Sequence, residues 1–481
     1  MTDFDVAVIG SGFAGLTAAI TARAEGASVI VLEGSGELGG SSRLSGGKLM
    51  GACTRLQREA GIEDDPEDMY RFYMGLNRFR LEPSVVRTLC ERSGATIDWL
   101  QDIGVAFDSR VMTSGEERAA RMHITVGEGM AVSQTLVSEA KRIGVEFALG
   151  MKVDRLLVEG GEVVGLAVGA DTLSVGAVIM ATGGFAANRE LVSKHLPLLA
   201  NEDWYWYIGA ATSDGSAFEL GAQVDAQVVG GGRATRLITP NFGNVLEGGY
   251  LPGWLVIVNG EGRRFYDETS SYSVTQPIME GQRAPVFAVF DEESKNSSSP
   301  DTVEATKKVS VGKRDGRAQK WVKTMLDEMV GRGKVLKADS LEQLATLMGV
   351  PEQRLLGTIE EYNHDVTAGQ DSHYRKRADV LRKVQTPPFY ATELRMAHVA
   401  LTAVGLRIDS QARVLADSGA AVPGLFAAGE CTGGVVGDVY VGSGNSITSA
   451  FVFGRVAGSG AATWARPDIP SASSREMDMR S

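Results

Sequence analysis

The sequence predicts an α/β protein in which the first and last parts of the chain form one domain around an inserted segment. The prediction depends on three apolar segments that each end in a glycine-rich turn. The first is Phe4 to Ile9, whose turn is Gly-Ser-Gly-Phe-Ala-Gly at Gly10 to Gly15. The second is Val178 to Phe185, and the third is Pro423 to Glu430; each of these two ranges includes its turn. Strands of a parallel sheet end at one edge, so three such turns should converge on one site.

We therefore expect a Rossmann-like first domain, made of residues 1–233 and 400–466. Residues 234–399 are expected to form an inserted α+β domain that covers the site and contributes to substrate binding. The polar tail, residues 467–481, is expected to be disordered.

The composition is that of a globular protein whose net charge is negative, so it has no overall positive potential that would attract polyanions. The 481 residues are 43% hydrophobic and 22% charged, and 48 Lys and Arg against 60 Asp and Glu give a net charge of −12. Nucleic acid is therefore not an expected partner. No apolar run is long enough to span a bilayer, and no room precedes the first strand for a signal peptide, so we expect a cytoplasmic protein. Three distant cysteines without metal-ligand spacing predict no metal site.

The first glycine turn has the context of a dinucleotide site, because a predicted helix, Leu16 to Ala24, follows it. The glycines let the backbone approach a pyrophosphate, and the helix N-terminus offers unpaired N–H groups. The next predicted strand ends in Glu33, 18 residues past Gly15, where a carboxylate can accept a hydrogen bond from a ribose hydroxyl. Gly10, Gly12, Gly15 and Glu33 are therefore predicted to bind a dinucleotide.

The segment after Glu33 indicates which dinucleotide. Residues Glu37 to Gly47 form a long loop rich in glycine and serine, which a nicotinamide-binding domain does not need. The loop favours FAD.

Together these segments resemble the FAD-binding domain of the fumarate reductase and succinate dehydrogenase flavoprotein superfamily, which includes the 3-ketosteroid dehydrogenases. The likeness covers most of the chain. It extends to Thr212 to Gly215 before a helix, to Val258 to Glu268, and to Leu341 to Gly369, which is similar to the helical part of the family's capping domain.

The resemblance implies the contacts to FAD. Glu33 would hold the adenosine ribose, the loop serines the pyrophosphate and flavin edge, and Glu430 the ribityl chain, while a helix opened by Gly444 to Ile447 would face flavin N1 and the C2 carbonyl. The implied cofactor-binding residues are Gly10, Gly12, Gly15, Glu33, Gly40, Ser41, Ser42, Ser45, Gly46, Gly47, Ala181, Thr182, Gly183, Asp214, Glu430, Ser446 and Ile447. Members with covalent FAD carry a histidine where this chain has Ser41 and Ser42, so the FAD is expected to be non-covalent.

The residues that bind fumarate in the reductases are replaced here. The proton-donating arginine falls on Tyr272, the substrate histidine on Leu401 and a further arginine on Tyr440. Without these groups a buried dianion would lack partners, at a cost of several kcal/mol for each charge. A dicarboxylate substrate is therefore disfavoured.

Tyr440 to Gly444 instead resembles the Tyr-x-Gly-x-Gly element of the 3-ketosteroid dehydrogenases. The resemblance implies that the Tyr440 hydroxyl and the Gly444 N–H hold a substrate carbonyl. Tyr272 would take the α-proton, helped by Arg263 or Arg264, and a hydride would pass from the β-carbon to flavin N5. The predicted reaction is α,β-desaturation of a cyclic ketone, either a 3-oxosteroid or a smaller ring such as an oxocyclohexane carboxylate, with an electron acceptor of open identity.

Two other functions stay open, namely an ene-reductase of an unsaturated acid and a flavin-binding subunit without turnover. The further tyrosine of the ketosteroid enzymes has no counterpart between Phe107 and Gly129, where His123 either takes its place or is a structural residue. The aromatic cluster Trp204 to Tyr207 is either core or the wall of a ketone pocket.

Overall fold

The computed structural model describes residues 2–200, 203–232, 234–243, 250–282, 285–308, 319–437 and 439–467. Apart from Pro467, the tail expected to be disordered lies outside these residues. The chain forms two compact units: the first comprises 1–201, 209–235 and 400–481, and the second 202–208 and 236–399. In the described ranges, no helix is long and apolar enough to cross a membrane.

The strands are given in chain order. They are β1 Phe4–Ile9, β2 Val29–Glu33, β3 Lys48–Met50, β4 Phe107–Met112, β5 Met122–Thr125, β6 Glu146–Leu149, β7 Arg155–Glu159, β8 Glu162–Val168, β9 Asp171–Met180, β10 Trp206–Tyr207, β11 Val228–Val229, β12 Ala234–Pro240, β13 Val256–Val258, β14 Val286–Asp291, β15 Leu336–Ala338, β16 Phe389–Thr402, β17 Gly405–Leu406, β18 Arg413–Leu415 and β19 Ala421–Ala427.

The helices follow in the same way. They are α1 Phe13–Ala24, α2 Arg55–Glu59, α3 Pro66–Leu76, α4 Pro83–Asp102, α5 Glu128–Arg142, α6 Arg189–His195, α7 Pro197–Ala200, α8 Ser216–Ala222, α9 Tyr272–Glu280, α10 Glu292–Asn296, α11 Pro300–Ala305, α12 Lys323–Gly331, α13 Leu341–Met348, α14 Glu352–Ala368 and α15 Asn445–Ala465.

The main sheet of the first unit places the three predicted turns side by side. Its strand order is β18-β19-β9-β1-β2-β6. All neighbours from β19 to β6 pair in parallel, and β18 is antiparallel. Because β1, β9 and β19 run in the same direction, the turns that follow them lie at one edge of the sheet, and Glu33 at the end of β2 lies there too. The predicted α/β class is confirmed.

Helices α1 and α15 pack closely against each other along a line that we call the α1–α15 seam. The ring of Phe13 stacks on that of Phe451 with centroids 4.8 Å apart. A Cβ on Gly454 would lie 2.6 Å from the Ala14 carbonyl oxygen, and one on Gly458 would lie 2.4 Å from that of Ala18. Only glycine allows this approach, so the first and last helices of the first unit share one packed interface.

The second unit is built on a mixed sheet around β16, which pairs antiparallel with β14 and β15 and parallel with β10. Aromatic side chains fill one apolar cluster, where Trp254 packs on Phe290 and Trp321. Helices α13 and α14 contribute to a second cluster. The inserted region is therefore α+β, as predicted.

Candidate active site

A cavity of the first unit lies at the edge of the main sheet, where the glycine turns are. The predicted cofactor-binding residues that line it are Gly10, Gly12, Glu33, Gly40, Ser41, Ser42, Ser45, Ala181, Thr182, Gly183, Asp214, Glu430, Ser446 and Ile447. Gly15, Gly46 and Gly47 lie outside its lining. A Cβ on Gly15 would lie 2.0 Å from the Gly10 carbonyl oxygen, so this glycine lets α1 pack close to the turn.

Hydrogen bonds hold the buried carboxylate of Glu33 in one orientation at the cavity. Its Oε2 accepts the N–H of Ser11 at 3.0 Å and the Ser11 hydroxyl at 2.5 Å, while Oε1 accepts the N–H of Ser35 at 2.9 Å. Ser11 also accepts the Gly39 N–H at 3.0 Å. Sequence reasoning missed Ser11, although it stands between the first two glycines of the fingerprint.

The glycine- and serine-rich loop, Glu37 to Gly47, contains a 3-10 turn at Gly40–Leu44. The Ser42 hydroxyl accepts the first N–H of α1, from Phe13, at 3.0 Å. The Ser41 hydroxyl accepts the N–H of Ala210 at 2.9 Å and lies 3.1 Å from that of Ser213. These contacts place both hydroxyls in the cavity lining, beside the N-terminus of α1.

Glu430 lies on the lining beside the end of β16. Its Oε1 accepts the backbone N–H of Thr402 at 2.7 Å and the Thr402 hydroxyl at 3.0 Å. Burial raises the pKa of Glu430 to about 7, although the bonds from Thr402 favour the charged form. Leu401, which replaces the family's histidine, is also on the lining.

Lys152 is a lining residue that sequence reasoning missed. Its Nζ is 2.6 Å from Oδ2 of Asp214, and the partner raises the pKa of the lysine. It follows β6, the parallel neighbour of β2, so its position after the strand could have indicated this edge of the sheet.

These features fit a dinucleotide such as FAD. Helices α1 and α15 both begin at the cavity, and the N-cap of each is a glycine, Gly12 or Gly444, so no N-cap side chain occupies the space in front of the helix. Their N–H groups and dipoles suit a pyrophosphate and an electron-rich ring edge. Gly10, at φ +102°, leaves no room for a side chain, since a Cβ would lie 2.4 Å from the Ala181 carbonyl oxygen. The buried hydroxyl of Thr182 has no hydrogen-bond partner within the described chain.

Tyr440 lies five residues before the N-terminus of α15. Its hydroxyl is 2.8 Å from that of Ser446, which is on the cavity lining. Burial raises the pKa of Tyr440, against hydrogen bonds from the Ser446 hydroxyl and from the backbone N–H groups of Ser446 and Gly444. The phenol is therefore protonated at neutral pH and can donate a hydrogen bond. Gly444 has φ +98°, and a Cβ there would lie 2.6 Å from the backbone of Leu49.

Tyr272 belongs to the second unit, where it is the first residue of α9. It is buried, and its ring centroid lies 5.3 Å from that of Tyr250. The Arg264 guanidinium bonds Glu268 and Asp371 at 2.8 and 2.9 Å, so its charge is neutralised by two carboxylates. The helix N-terminus provides positive potential at Tyr272 itself.

His123 is a structural residue of β5. It is fully buried, with Nε2 2.7 Å from the Thr54 hydroxyl and Nδ1 2.8 Å from the Arg121 carbonyl oxygen. Burial lowers its pKa to about 4. Both ring nitrogens are used, and the residue is not part of the cavity lining.

The aromatic cluster Trp204 to Tyr207 belongs to the second unit. The Arg395 guanidinium carbon lies 4.3 Å from the ring centroid of Trp204, and Trp206 meets the ring of His398 edge to face at 5.3 Å. Packing within that unit accounts for these contacts.

A largely parallel sheet with a glycine-lined cavity at its edge is typical of a dinucleotide-binding protein. The chain belongs to the FAD binding domain family, whose model matches residues 5–447. Its relatives place it in the fumarate reductase and succinate dehydrogenase flavoprotein superfamily. The expected family is confirmed, and the protein is an FAD-dependent oxidoreductase.

Both reductases and dehydrogenases are similar to this chain. Fumarate reductase (cytochrome) from Shewanella frigidimarina is 30% identical over 476 residues, which cover 96% of this chain and 77% of that protein. The 4-oxocyclohexanecarboxylate 2-dehydrogenase of Sinomonas cyclohexanicum is 26% identical, covering 95% and 92%. The crystal structure of a 3-ketosteroid-Δ4-(5α)-dehydrogenase from Rhodococcus jostii RHA1, in complex with 4-androstene-3,17-dione, has a TM-score of 0.76 at 27% identity, covering 96% and 98%.

Proposed function

We propose that this protein desaturates a cyclic ketone. The observation that carries the proposal is Tyr440, a tyrosine kept protonated at the N-terminus of α15, at a position where fumarate-type enzymes have an arginine. A neutral donor suits a ketone oxygen, whereas a dianion requires cations.

The residues would divide the reaction as follows. The Tyr440 hydroxyl would stabilise negative charge on the carbonyl oxygen, together with the Gly444 N–H, which would exchange its bond to Tyr440 for one to the substrate, while Tyr272 removes the α-proton. FAD, when bound, would be the two-electron oxidant that accepts the β-hydrogen as a hydride. The ketone therefore loses one proton and one hydride, and an α,β double bond forms.

Tyr272 needs help to act as a base, because an ordinary tyrosine has a pKa of about 10. Arg264 is committed to Glu268 and Asp371. The N-terminus of α9 is the positive group on which the proposal depends, since Tyr272 is the first residue of that nine-residue helix.

A reductase is the second candidate, because reductases are among the relatives, including one at 30% identity. The same hydroxyl groups would then activate an enone and return a proton to it. Tyr272, Leu401 and Tyr440 stand where the fumarate reductases have arginine or histidine, and this replacement still argues against a simple dicarboxylate as the substrate.

The experiment runs the enzyme in both directions under anaerobic conditions. The oxidised protein is mixed with 4-oxocyclohexanecarboxylate or a saturated 3-oxosteroid, and the reduced protein with the matching enones or fumarate. We expect the ketones to bleach the flavin, and an artificial acceptor to restore its absorbance. Faster reoxidation by fumarate than bleaching by any ketone would overturn the proposal in favour of a reductase.

A further inference from the structure

The loop that carries Tyr440 is held by a side chain of a distant helix. Asn77 follows α3 directly and is almost completely buried. Its Oδ1 accepts the backbone N–H of Val439 at 3.0 Å, and its Nδ2 donates to the Val439 carbonyl oxygen at 3.2 Å. Nδ2 also donates to the carbonyl oxygen of Tyr73 at 3.2 Å. Both backbone groups of the residue before Tyr440 are thus bound by one amide.

Tyr73, one helical turn earlier, holds the two ends of the same loop. Its hydroxyl donates to the Val435 carbonyl oxygen at 3.1 Å and accepts the side-chain N–H of Asn445 at 2.9 Å. It is completely buried, and burial raises its pKa, so the hydroxyl keeps its proton. Asn445 is the first residue of α15 and follows Gly444.

The close approach of Asn77 constrains the loop sequence as well. A Cβ on Gly437 would lie 1.9 Å from Oδ1 of Asn77, so a glycine is needed for the amide to reach Val439. Together these contacts hold the backbone at Val435 and Val439 and the side chain of Asn445, on both sides of Tyr440.

We propose that Asn77 and Tyr73 are positioning residues for Tyr440. They set where its hydroxyl lies, although neither residue is expected to touch the substrate. The inference rests on the proposed function, because it assigns a purpose to the placement of Tyr440. An amide bonded to both backbone groups of one residue allows little rotation or translation of the loop, and small misplacements of a catalytic group are costly to the rate.

The chain offers a matched control for each residue. Asn363 in the second unit binds Val384 in the same way. Its Oδ1 accepts the backbone N–H of Val384 at 2.8 Å, and its Nδ2 donates to the Val384 carbonyl oxygen at 2.9 Å. Asn77→Ala is therefore compared with Asn363→Ala. Tyr73→Phe is compared with Tyr70→Phe, on the same helix, where the Arg87 guanidinium covers the ring.

Hydrogen exchange of the FAD-bound protein tests the loop contacts without turnover. We expect the peptide containing the Val439 amide to exchange at least 10-fold faster in Asn77→Ala, and peptides on both sides of Tyr440 to exchange faster in Tyr73→Phe. Neither control should change them. Unchanged exchange in both variants would overturn the inference.

Turnover of whichever ketone bleaches the flavin, 4-oxocyclohexanecarboxylate or the 3-oxosteroid, then tests the link to Tyr440. We expect Asn77→Ala to lower kcat/KM by roughly 10- to 10²-fold in the native background, but less than 3-fold when Tyr440 is already phenylalanine. Equal losses in both backgrounds would mean a structural role only, and would overturn the inference. Wild-type turnover by Tyr440→Phe alone would instead overturn the proposed function. Tyr73→Phe is measured in the same two backgrounds, so the test stands if Asn77→Ala does not fold.

Discussion

Tyr440 and Tyr272 are the residues on which the proposed chemistry depends, and their surroundings differ in kind. Tyr440 is half-buried, and desolvation raises its pKa against the hydrogen bonds from its neighbours, so the phenol stays protonated. Tyr272 is the first residue of α9, whose N-terminal dipole is the positive group that the proposed function requires there. The proposed function gives Tyr440 the role of donor and Tyr272 that of base.

Tyr440→Phe should weaken ketone binding and lower kcat by about 10²–10³-fold, because one of two carbonyl donors is lost. Steady-state kinetics on a saturated cyclic ketone measures both. Flavin occupancy, read from absorbance, should not change. Loss of FAD from this variant would show that Tyr440 supports the cofactor instead.

Tyr272→Phe should lower kcat by about 10²–10⁴-fold with little change in ketone binding, as expected for a lost general base. Binding is followed by the spectral perturbation of the flavin, and turnover by reduction of an artificial acceptor. A rate near that of the wild type would place the base elsewhere. His123 would not be the next candidate, because both of its ring nitrogens are bonded.

Glu430 should give the FAD-free protein a specific pH dependence. Its pKa is about 7 in the fold against an ordinary value of 4.5, so the unfolded chain releases the proton first as pH rises. The group's contribution to stability is complete below pH 4.5 and is lost between there and pH 7, on the order of 3 kcal/mol.

Glu430→Gln should remove this loss and still accept the Thr402 N–H. The Tm of the variant minus that of the wild type should therefore increase from pH 4.5 to 7 and then level off. A constant difference over this range would mean that folding does not shift the pKa of Glu430.

The sequence predicted the residues that local spacing defines, and missed those that depend on pairing in space. The fingerprint glycines and Glu33 follow from the order of strand, turn and helix. Ser11, Lys152 and Asn77 were missed because their partners lie 22, 62 and 362 residues away. No local pattern connects such pairs.

At the scale of elements, the start of α15 was predicted but its partner was not. The Gly444 to Ile447 segment opens the helix as expected. The α1–α15 seam depends on Gly454 and Gly458, whose spacing also occurs in helices without close contacts. Only the folded chain shows which carbonyl groups they meet.

Gly458→Ala should destabilise the protein by roughly 1–3 kcal/mol, because its Cβ would lie 2.4 Å from the Ala18 carbonyl oxygen. Gly357→Ala in α14 is the control. No atom lies within 4 Å of its Cβ position, so alanine should stabilise that helix by up to about 1 kcal/mol. Denaturant unfolding measures both. A stabilised Gly458→Ala variant would contradict the close seam.

At the scale of the whole molecule, the purified protein should be yellow and should release intact FAD on denaturation. The reason is that Ser41 and Ser42 stand where members with covalent FAD carry a histidine. Acid precipitation followed by a spectrum of the pellet and supernatant makes the measurement. Yellow colour retained by the washed pellet would show a covalent bond.

The α1–α15 seam also has a consequence for synthesis. Helix α1 leaves the ribosome first, but the helix that covers its apolar face begins about 420 residues later, which corresponds to roughly 20 to 80 s of translation. During that time the nascent chain carries an apolar surface without its native partner. Strand β9 meets the same delay, since β19 is its neighbour on one side. The first unit can therefore complete its core only after α15 has been made, and until then chaperones have a defined surface to protect.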